Sequence, residues 1–165
     1  MRTTKMRGNE VHLVGDEIKL GDMFPNFKAS VNVVEDMNLN DVNGVRIILA
    51  VPSVDTPICD MELKKVASEV ASLDGVNLIG ISKDLPFAQS RWCVDVENED
   101  IHIVSDFKHA NFAELTGTLI LETGLLTRAS FVLDKDGKVQ FAEYLEEIGM
   151  EPSYDKIMKV AKSLM

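Results

Sequence analysis

The sequence is organised around the stretch Val45-Arg46-Ile47-Ile48-Leu49-Ala50-Val51-Pro52-Ser53-Val54-Asp55-Thr56-Pro57-Ile58-Cys59. Its first part, Val45–Val51, is rich in β-branched and other apolar residues, which favours a strand. Pro52 has no N–H for a strand ladder, so the strand should end there. The stretch therefore predicts a strand that ends at a turn just before Cys59.

A helix is predicted directly after this turn. Thr56 or Asp55 is placed to act as its N-cap, and Pro57 suits the first helical position. Cys59 then falls on the first helical turn, near unpaired backbone N–H groups and the positive end of the helix dipole. Both favour the thiolate, which is the reactive form of cysteine. The sequence thus predicts an activated cysteine at a strand-to-helix junction.

The length, net charge and apolar runs of the chain limit which kinds of protein it can be. A chain of 165 residues suits one domain, residues 1–165, with a sizeable core. The formal net charge of −10 argues against nucleic acid or an anionic membrane as a partner, because both require clustered Lys and Arg. Met1–Gly8 is basic but is not followed by the apolar run of a signal peptide, and no segment approaches the roughly 20 apolar residues of a membrane span. We therefore expect a cytoplasmic protein.

Strands and helices alternate through the middle of the chain, which predicts an α/β fold. A helical crossover joins Val45–Val51 to a second apolar strand, Val76–Ser82, so these two should be parallel. A later hairpin, with Asp136-Gly137 as its turn, should make the central sheet mixed. At the N-terminus we expect a small β-hairpin in which Glu10–Val14 pairs with Glu17–Leu20.

The cysteine count alone leaves two interpretations open: a functional pair, or two unrelated buried thiols. The chain has no Cys-x-x-Cys motif, and two distant cysteines are too few for a four-cysteine zinc site. None of the histidines, His12, His102 and His109, lies near a motif. A Cys-His hydrolase would require one of them to approach Cys59 in three dimensions.

Two stretches carry a resemblance to a known family. Residues Pro52 to Cys59 match the Pro-x-x-x-Thr-x-x-Cys signature of the peroxiredoxins. Ser82-Lys83-Asp84-Leu85-Pro86-Phe87-Ala88-Gln89-Ser90-Arg91-Trp92-Cys93 resembles the segment that carries the second cysteine in bacterial thiol peroxidases, the atypical two-cysteine peroxiredoxins. The likeness covers nearly the whole chain, including the N-terminal hairpin and Arg128–Asp134.

This resemblance implies a thioredoxin-like fold, with a central mixed sheet flanked by helices, and a peroxidase that uses no metal, haem or flavin. It implies that Cys59 is the peroxidatic residue, which reduces hydrogen peroxide or an organic hydroperoxide and becomes a sulfenic acid. It further implies that Cys93 resolves that acid to an intrachain disulfide, that a thioredoxin-type protein reduces the disulfide, and that the protein is a homodimer.

The roles of the neighbouring residues can also be argued from the chemistry. Attack on a peroxide spreads negative charge over sulfur and two oxygens, so donors aimed at that charge lower the barrier. The backbone N–H of Cys59, the Thr56 hydroxyl and the Arg128 guanidinium are suitable donors, and Pro52 would shield the site. Simpler interpretations remain open: Thr56 as a helix cap only, Arg128 as a strand-end charge, and Pro52 as a strand terminator.

One alternative function uses the same chemistry. A redox-sensing or interaction protein on this fold would also need a reactive cysteine and a second cysteine, with the Cys59–Cys93 disulfide acting as a switch. Many turnovers of peroxide in the presence of a reductant would distinguish the enzyme from the sensor.

Overall fold

The structure is a computed structural model and describes residues 1–93 and 98–165. In these two ranges the strands are β1 Arg2–Met6, β2 Asn9–Val14, β3 Lys28–Ser30, β4 Asp36–Asn38, β5 Val45–Ala50, β6 Val76–Ser82, β7 Ile101–Ser105, β8 Leu119–Ile120, β9 Ala129–Leu133 and β10 Val139–Tyr144. The α-helices are α1 Pro57–Val70, α2 Pro86–Cys93, α3 Asn111–Thr116 and α4 Tyr154–Ser163. None of the described helices has the length and apolar character needed to cross a membrane.

Seven of the described strands form the central sheet, in the order β10-β9-β5-β6-β7-β3-β4. β5, β6 and β7 are parallel, whereas β9 runs antiparallel to β5 and β10 antiparallel to β9. The predicted parallel crossover and the mixed sheet are therefore both confirmed. β5 lies inside the sheet, and all six of its residues are buried.

Two apolar layers cover the sheet. On one face, α1 and α4 pack over Ile47, Leu49 and Leu78, and Cys59 belongs to this layer. On the other face, phenylalanines from several segments pack over alternate residues of the same strands. Gly80 in β6 lets α1 approach closely, since a Cβ there would lie 2.8 Å from Leu63 Cδ2. The predicted arrangement of a mixed sheet flanked by helices is confirmed.

The N-terminal hairpin is present and the predicted strand Glu10–Val14 lies within β2, but the predicted partner strand Glu17–Leu20 was wrong. β1 pairs with β2 through a turn at Arg7-Gly8, and residues 17–20 form no strand. Arg7 and Gly8 have φ values of 51° and 79°, the left-handed pair that a tight hairpin turn requires. β2 then pairs with β8 to form a separate three-stranded sheet.

Candidate active site

Cys59 lies at the carboxyl edge of the central sheet, on the first turn of α1. Thr56 is the N-cap of this helix and Pro57 is its first residue, as predicted. The Thr56 hydroxyl accepts a hydrogen bond from the Cys59 backbone N–H at 3.3 Å. The Cys59 side chain is fully buried. Its sulfur is therefore shielded from bulk water and lies at the end of the helix where the dipole favours negative charge.

The turn that leads into α1 is held by a partly buried hydrogen-bond network. Pro52 is buried two residues after the end of β5, where the chain turns. The carboxylate of Asp84 accepts bonds from Ser53 Oγ at 2.7 Å, from the Val54 N–H at 2.8 Å and from Ser82 Oγ at 2.6 Å. The turn before Cys59 is thus fixed to the end of the neighbouring strand β6.

Arg128 reaches Cys59 because of the sheet register. Arg128 immediately precedes β9, and Ala129 of β9 lies opposite Ala50 at the end of β5. Its Nη2 donates to Cys59 Sγ at 3.3 Å, and its Nε donates to the Ile148 carbonyl at 2.8 Å. The side chain is buried, so the guanidinium presents a fixed positive charge to the sulfur.

Glu62 completes this cluster and was missed in the sequence analysis. Its Oε2 accepts a hydrogen bond from Arg128 Nη1, and the whole residue is buried. Glu62 Oε1 has no hydrogen-bond partner among the described residues. Glu62 lies three residues after Cys59, on the same helix face as the buried Leu63 and Val66. A charged residue on that apolar stripe was the signal that could have revealed it.

The electrostatics of the cluster follow from burial and proximity. Burial raises the pKa of Glu62 to about 7, although Arg128 opposes this shift. Burial alone would lower the pKa of Arg128, but Glu62 and Cys59 together hold it above its ordinary value. Arg128 therefore remains a cation at neutral pH, while Glu62 can exchange a proton there.

Cys93 is the last residue of α2. It is half-buried and packs against the same apolar layer that contains Cys59. Both cysteines are present as thiols rather than as a disulfide. The predicted second cysteine thus lies at the edge of the core region that surrounds the first one.

The three histidines are engaged elsewhere. His12 pairs with Glu122 on the surface at 2.5 Å, and His109 lies 3.0 Å from Asp36. His102 is in β7, where burial lowers its pKa. Of the hydrogen bonds found within residues 1–93 and 98–165, none joins a histidine to Cys59, so the Cys-His hydrolase interpretation gains no support.

Comparison with known proteins gives consistent matches. Residues 20–142 match the model of the AhpC/TSA family. The chain is 47% identical to a thiol peroxidase of Clostridium acetobutylicum, over 96% of this chain and 97% of that protein. It is 42% identical to a thiol peroxidase of Bacillus subtilis, over 100% and 99% of the two chains. Among solved structures, a peroxiredoxin-like protein from Aquifex aeolicus superposes with a TM-score of 0.89 at 36% identity, covering 100% of this chain and 98% of that one.

Proposed function

Because the chain belongs to the AhpC/TSA family and is a thiol-dependent peroxidase, we propose that Cys59 is the residue that attacks the peroxide. The observation that carries the proposal is the 3.3 Å contact between Arg128 Nη2 and Cys59 Sγ inside a buried site. A fixed cation beside the sulfur favours the thiolate, and a helix N-terminus acts in the same direction.

In the first step the thiolate of Cys59 attacks one oxygen of the O–O bond. An S–O bond forms as the O–O bond breaks, and Cys59 becomes a sulfenic acid that keeps the proton of the attacked oxygen. The other oxygen leaves as hydroxide or alkoxide and takes a proton to become water or an alcohol. The sulfur is oxidised by two electrons and the peroxide is reduced by two.

Arg128 is the main electrostatic group in this step. Its planar guanidinium can contact the sulfur and an incoming oxygen together, and so stabilise the charge that spreads over them. Glu62 positions Arg128 by accepting its Nη1–H bond, while the Ile148 carbonyl accepts from Nε. With both bonds in place, Nη2 remains directed at Cys59.

Thr56 and Pro52 shape the site around the sulfur. The Thr56 hydroxyl caps α1 and donates a long bond of 3.3 Å to the Ser53 carbonyl, which a peroxide oxygen can replace as acceptor. The Cys59 N–H, bonded to Thr56 at 3.3 Å, is a second donor for the same oxygen. Pro52 fills the buried end of the strand and limits access of water.

Cys93 is proposed as the resolving residue. Its thiol sulfur displaces the sulfenic hydroxyl of Cys59, which forms the S–S bond and releases one water. A thioredoxin-type protein then supplies two thiols, returns both cysteines to the thiol form and leaves with its own disulfide. The cycle consumes one peroxide and one dithiol.

A coupled assay tests this proposal. Purified protein with thioredoxin, thioredoxin reductase and NADPH should consume many equivalents of hydrogen peroxide or cumene hydroperoxide. Cys59→Ser should abolish turnover, because a hydroxyl remains protonated at neutral pH and does not attack the O–O bond. Consumption limited to one equivalent per chain would favour the redox-sensor alternative. Turnover that persists in Cys59→Ser would refute the role of Cys59.

A further inference from the structure

The helix that carries Cys93 is attached at both of its ends to the segment that carries Cys59. At its start, Asp84 binds Ser53 Oγ and the Val54 N–H of the turn before α1. At its end, the indole Nε1–H of Trp92 donates to Asp60 Oδ1 at 2.5 Å. Trp92 is adjacent in sequence to Cys93, and Asp60 is adjacent to Cys59.

The two attachments differ in strength. The one at the start is a network of several bonds, partly buried around Asp84, in which Gln89 Nε2 also donates to Ser82 Oγ at 3.1 Å through a buried bond. At the end, Trp92 and Cys93 pack on the apolar layer, and the Trp92 indole forms one hydrogen bond to Asp60, whose side chain is 37% exposed. Arg91 and Asp55 add only a 3.8 Å ion pair between two largely exposed side chains. The end of α2 should therefore separate from α1 more readily than its start.

The direction of each side chain explains why this bond matters for disulfide formation. Cys59 Sγ contacts Arg128, whereas Asp60 contacts Trp92. Successive side chains on a helix point about 100° apart, so Cys59 faces a different direction from Asp60, and Cys93 faces a different direction from Trp92. To form the disulfide, the Cys59 sulfur must leave Arg128 and reach Cys93, and we expect this to rearrange the first turn of α1 or the last turn of α2. Either rearrangement moves Asp60 and Trp92 apart.

We propose that the Trp92–Asp60 hydrogen bond is a positioning contact that holds the last turn of α2 against the first turn of α1 and so limits the rate of the resolving step. This inference depends on the proposed function, specifically on Cys93 as the resolving residue. The bond takes no part in the chemistry, in which the Cys93 sulfur replaces the sulfenic hydroxyl of Cys59 and water leaves.

The geometry at Asp60 supports a persistent bond. Lys64 Nζ lies 3.0 Å from the same Asp60 Oδ1, one helical turn along α1. Lys64 and Trp92 both lower the pKa of Asp60, so its carboxylate is charged at neutral pH. The indole N–H is the only polar group of tryptophan, so this one bond fixes the orientation of the ring. Hydrogen bonds to charged groups are the stronger class in proteins.

Single-turnover oxidation with one equivalent of hydrogen peroxide tests the proposal. Samples are quenched at intervals, sulfenic acid is trapped with dimedone, and mass spectrometry gives the fractions of sulfenic acid and disulfide. Trp92→Phe keeps an aromatic ring but removes the N–H, and Asp60→Ala removes the acceptor. We expect each variant to form the disulfide about tenfold faster than the wild type, a factor that corresponds to about 1.4 kcal/mol. The preceding formation of sulfenic acid should keep its rate.

Matched variants separate this role from a general loosening of the helices. Lys64→Gln keeps both the Trp92 donor and the Asp60 acceptor and should resolve much closer to the wild-type rate than Trp92→Phe or Asp60→Ala. Asp60→Asn keeps an acceptor oxygen and should lie closer to the wild type than Asp60→Ala. The double variant Trp92→Phe/Asp60→Ala should be no faster than either single variant, because both remove the same bond.

The outcomes distinguish failure of this inference from failure of the proposed function. If the wild-type protein forms no Cys59–Cys93 disulfide, the resolving role of Cys93 is wrong and this inference fails with it. If the wild type forms the disulfide but Trp92→Phe and Asp60→Ala resolve at the wild-type rate or more slowly, the positioning role alone is overturned.

Discussion

Arg128 Nη2 lies 3.3 Å from Cys59 Sγ, although the two residues are 69 positions apart in the chain. The contact follows from the antiparallel pairing of β9 with β5, which brings the start of one strand to the end of the other. Only 2% of Arg128 is exposed, so solvent screens its charge weakly. A cation held this way can act on the sulfur in both the resting and the reacting state.

Replacement of this cation should slow the reaction with peroxide. We expect Arg128→Met to lower the rate of Cys59 oxidation by about 10²–10³-fold, the scale for loss of one preorganised donor. Arg128→Lys keeps the charge but not the planar fork, and should recover only part of the rate. Stopped-flow measurement with hydrogen peroxide gives the rate constant. Equal rates in the wild type and Arg128→Met would show that Arg128 does not take part.

Thr56 should contribute to both stability and rate. Thr56→Val removes the cap of α1 and should lower the free energy of unfolding by about 1 kcal/mol. It should also slow sulfenic acid formation, because the hydroxyl donor is lost. Thr56→Ser keeps the hydroxyl and serves as the matched control. Urea denaturation measures the unfolding free energy, and stopped-flow oxidation measures the rate of sulfenic acid formation. A loss of stability with an unchanged oxidation rate would mean that Thr56 acts only as a helix cap.

Glu62 should make stability depend on pH. Burial raises its pKa from 4.5 to about 7, so the folded protein binds this proton more tightly than the unfolded chain does. The resulting stabilisation is complete below pH 4.5 and is lost as the pH rises through about 7. Relative to Glu62→Gln, the reduced wild-type protein should lose about 3 kcal/mol of unfolding free energy across this interval. Urea titrations over this pH range measure the loss. The same pH dependence of the unfolding free energy in both proteins would contradict the raised pKa of Glu62.

Loss of Cys93 should separate the two chemical steps. Cys93→Ser should react once with peroxide at the wild-type rate, accumulate sulfenic acid at Cys59 and then fail to turn over with thioredoxin. Dimedone labelling detects the trapped acid, and the coupled assay detects the block. Full turnover of Cys93→Ser with thioredoxin would mean that another thiol resolves Cys59.

Most of the fold could be predicted because the sequence patterns that indicate its strands and helices are local. The apolar runs Val45–Val51 and Val76–Ser82, separated by one helical pattern, were enough to indicate a parallel crossover. The partner strand of the N-terminal hairpin was predicted wrongly because Gly15-Asp16 is as good a turn as Arg7-Gly8 when only residue types are considered. The pairing of β2 with β8, more than a hundred residues later, selects between them, and that contact has no local signal.

The candidate site was predictable only in part. The signature residues Pro52, Thr56 and Cys59 lie within one short segment, so their proximity follows from the sequence. Glu62 was overlooked because an acidic residue on a helix is usually solvated, and its burial depends on Arg128, which immediately precedes a distant strand. The bond from Trp92 to Asp60 joins two helices, so it could not be inferred without their packing.

Trp92 is the only tryptophan in the chain. Its indole is bonded to a carboxylate beside one cysteine, and it directly precedes the other. When excited at wavelengths that Tyr144 and Tyr154 do not absorb, the protein therefore emits from this one fluorophore, which is linked by sequence or hydrogen bond to the segments that carry the two thiols. Any rearrangement that brings them together changes the surroundings of that fluorophore, so the unlabelled protein carries its own optical reporter of its redox state.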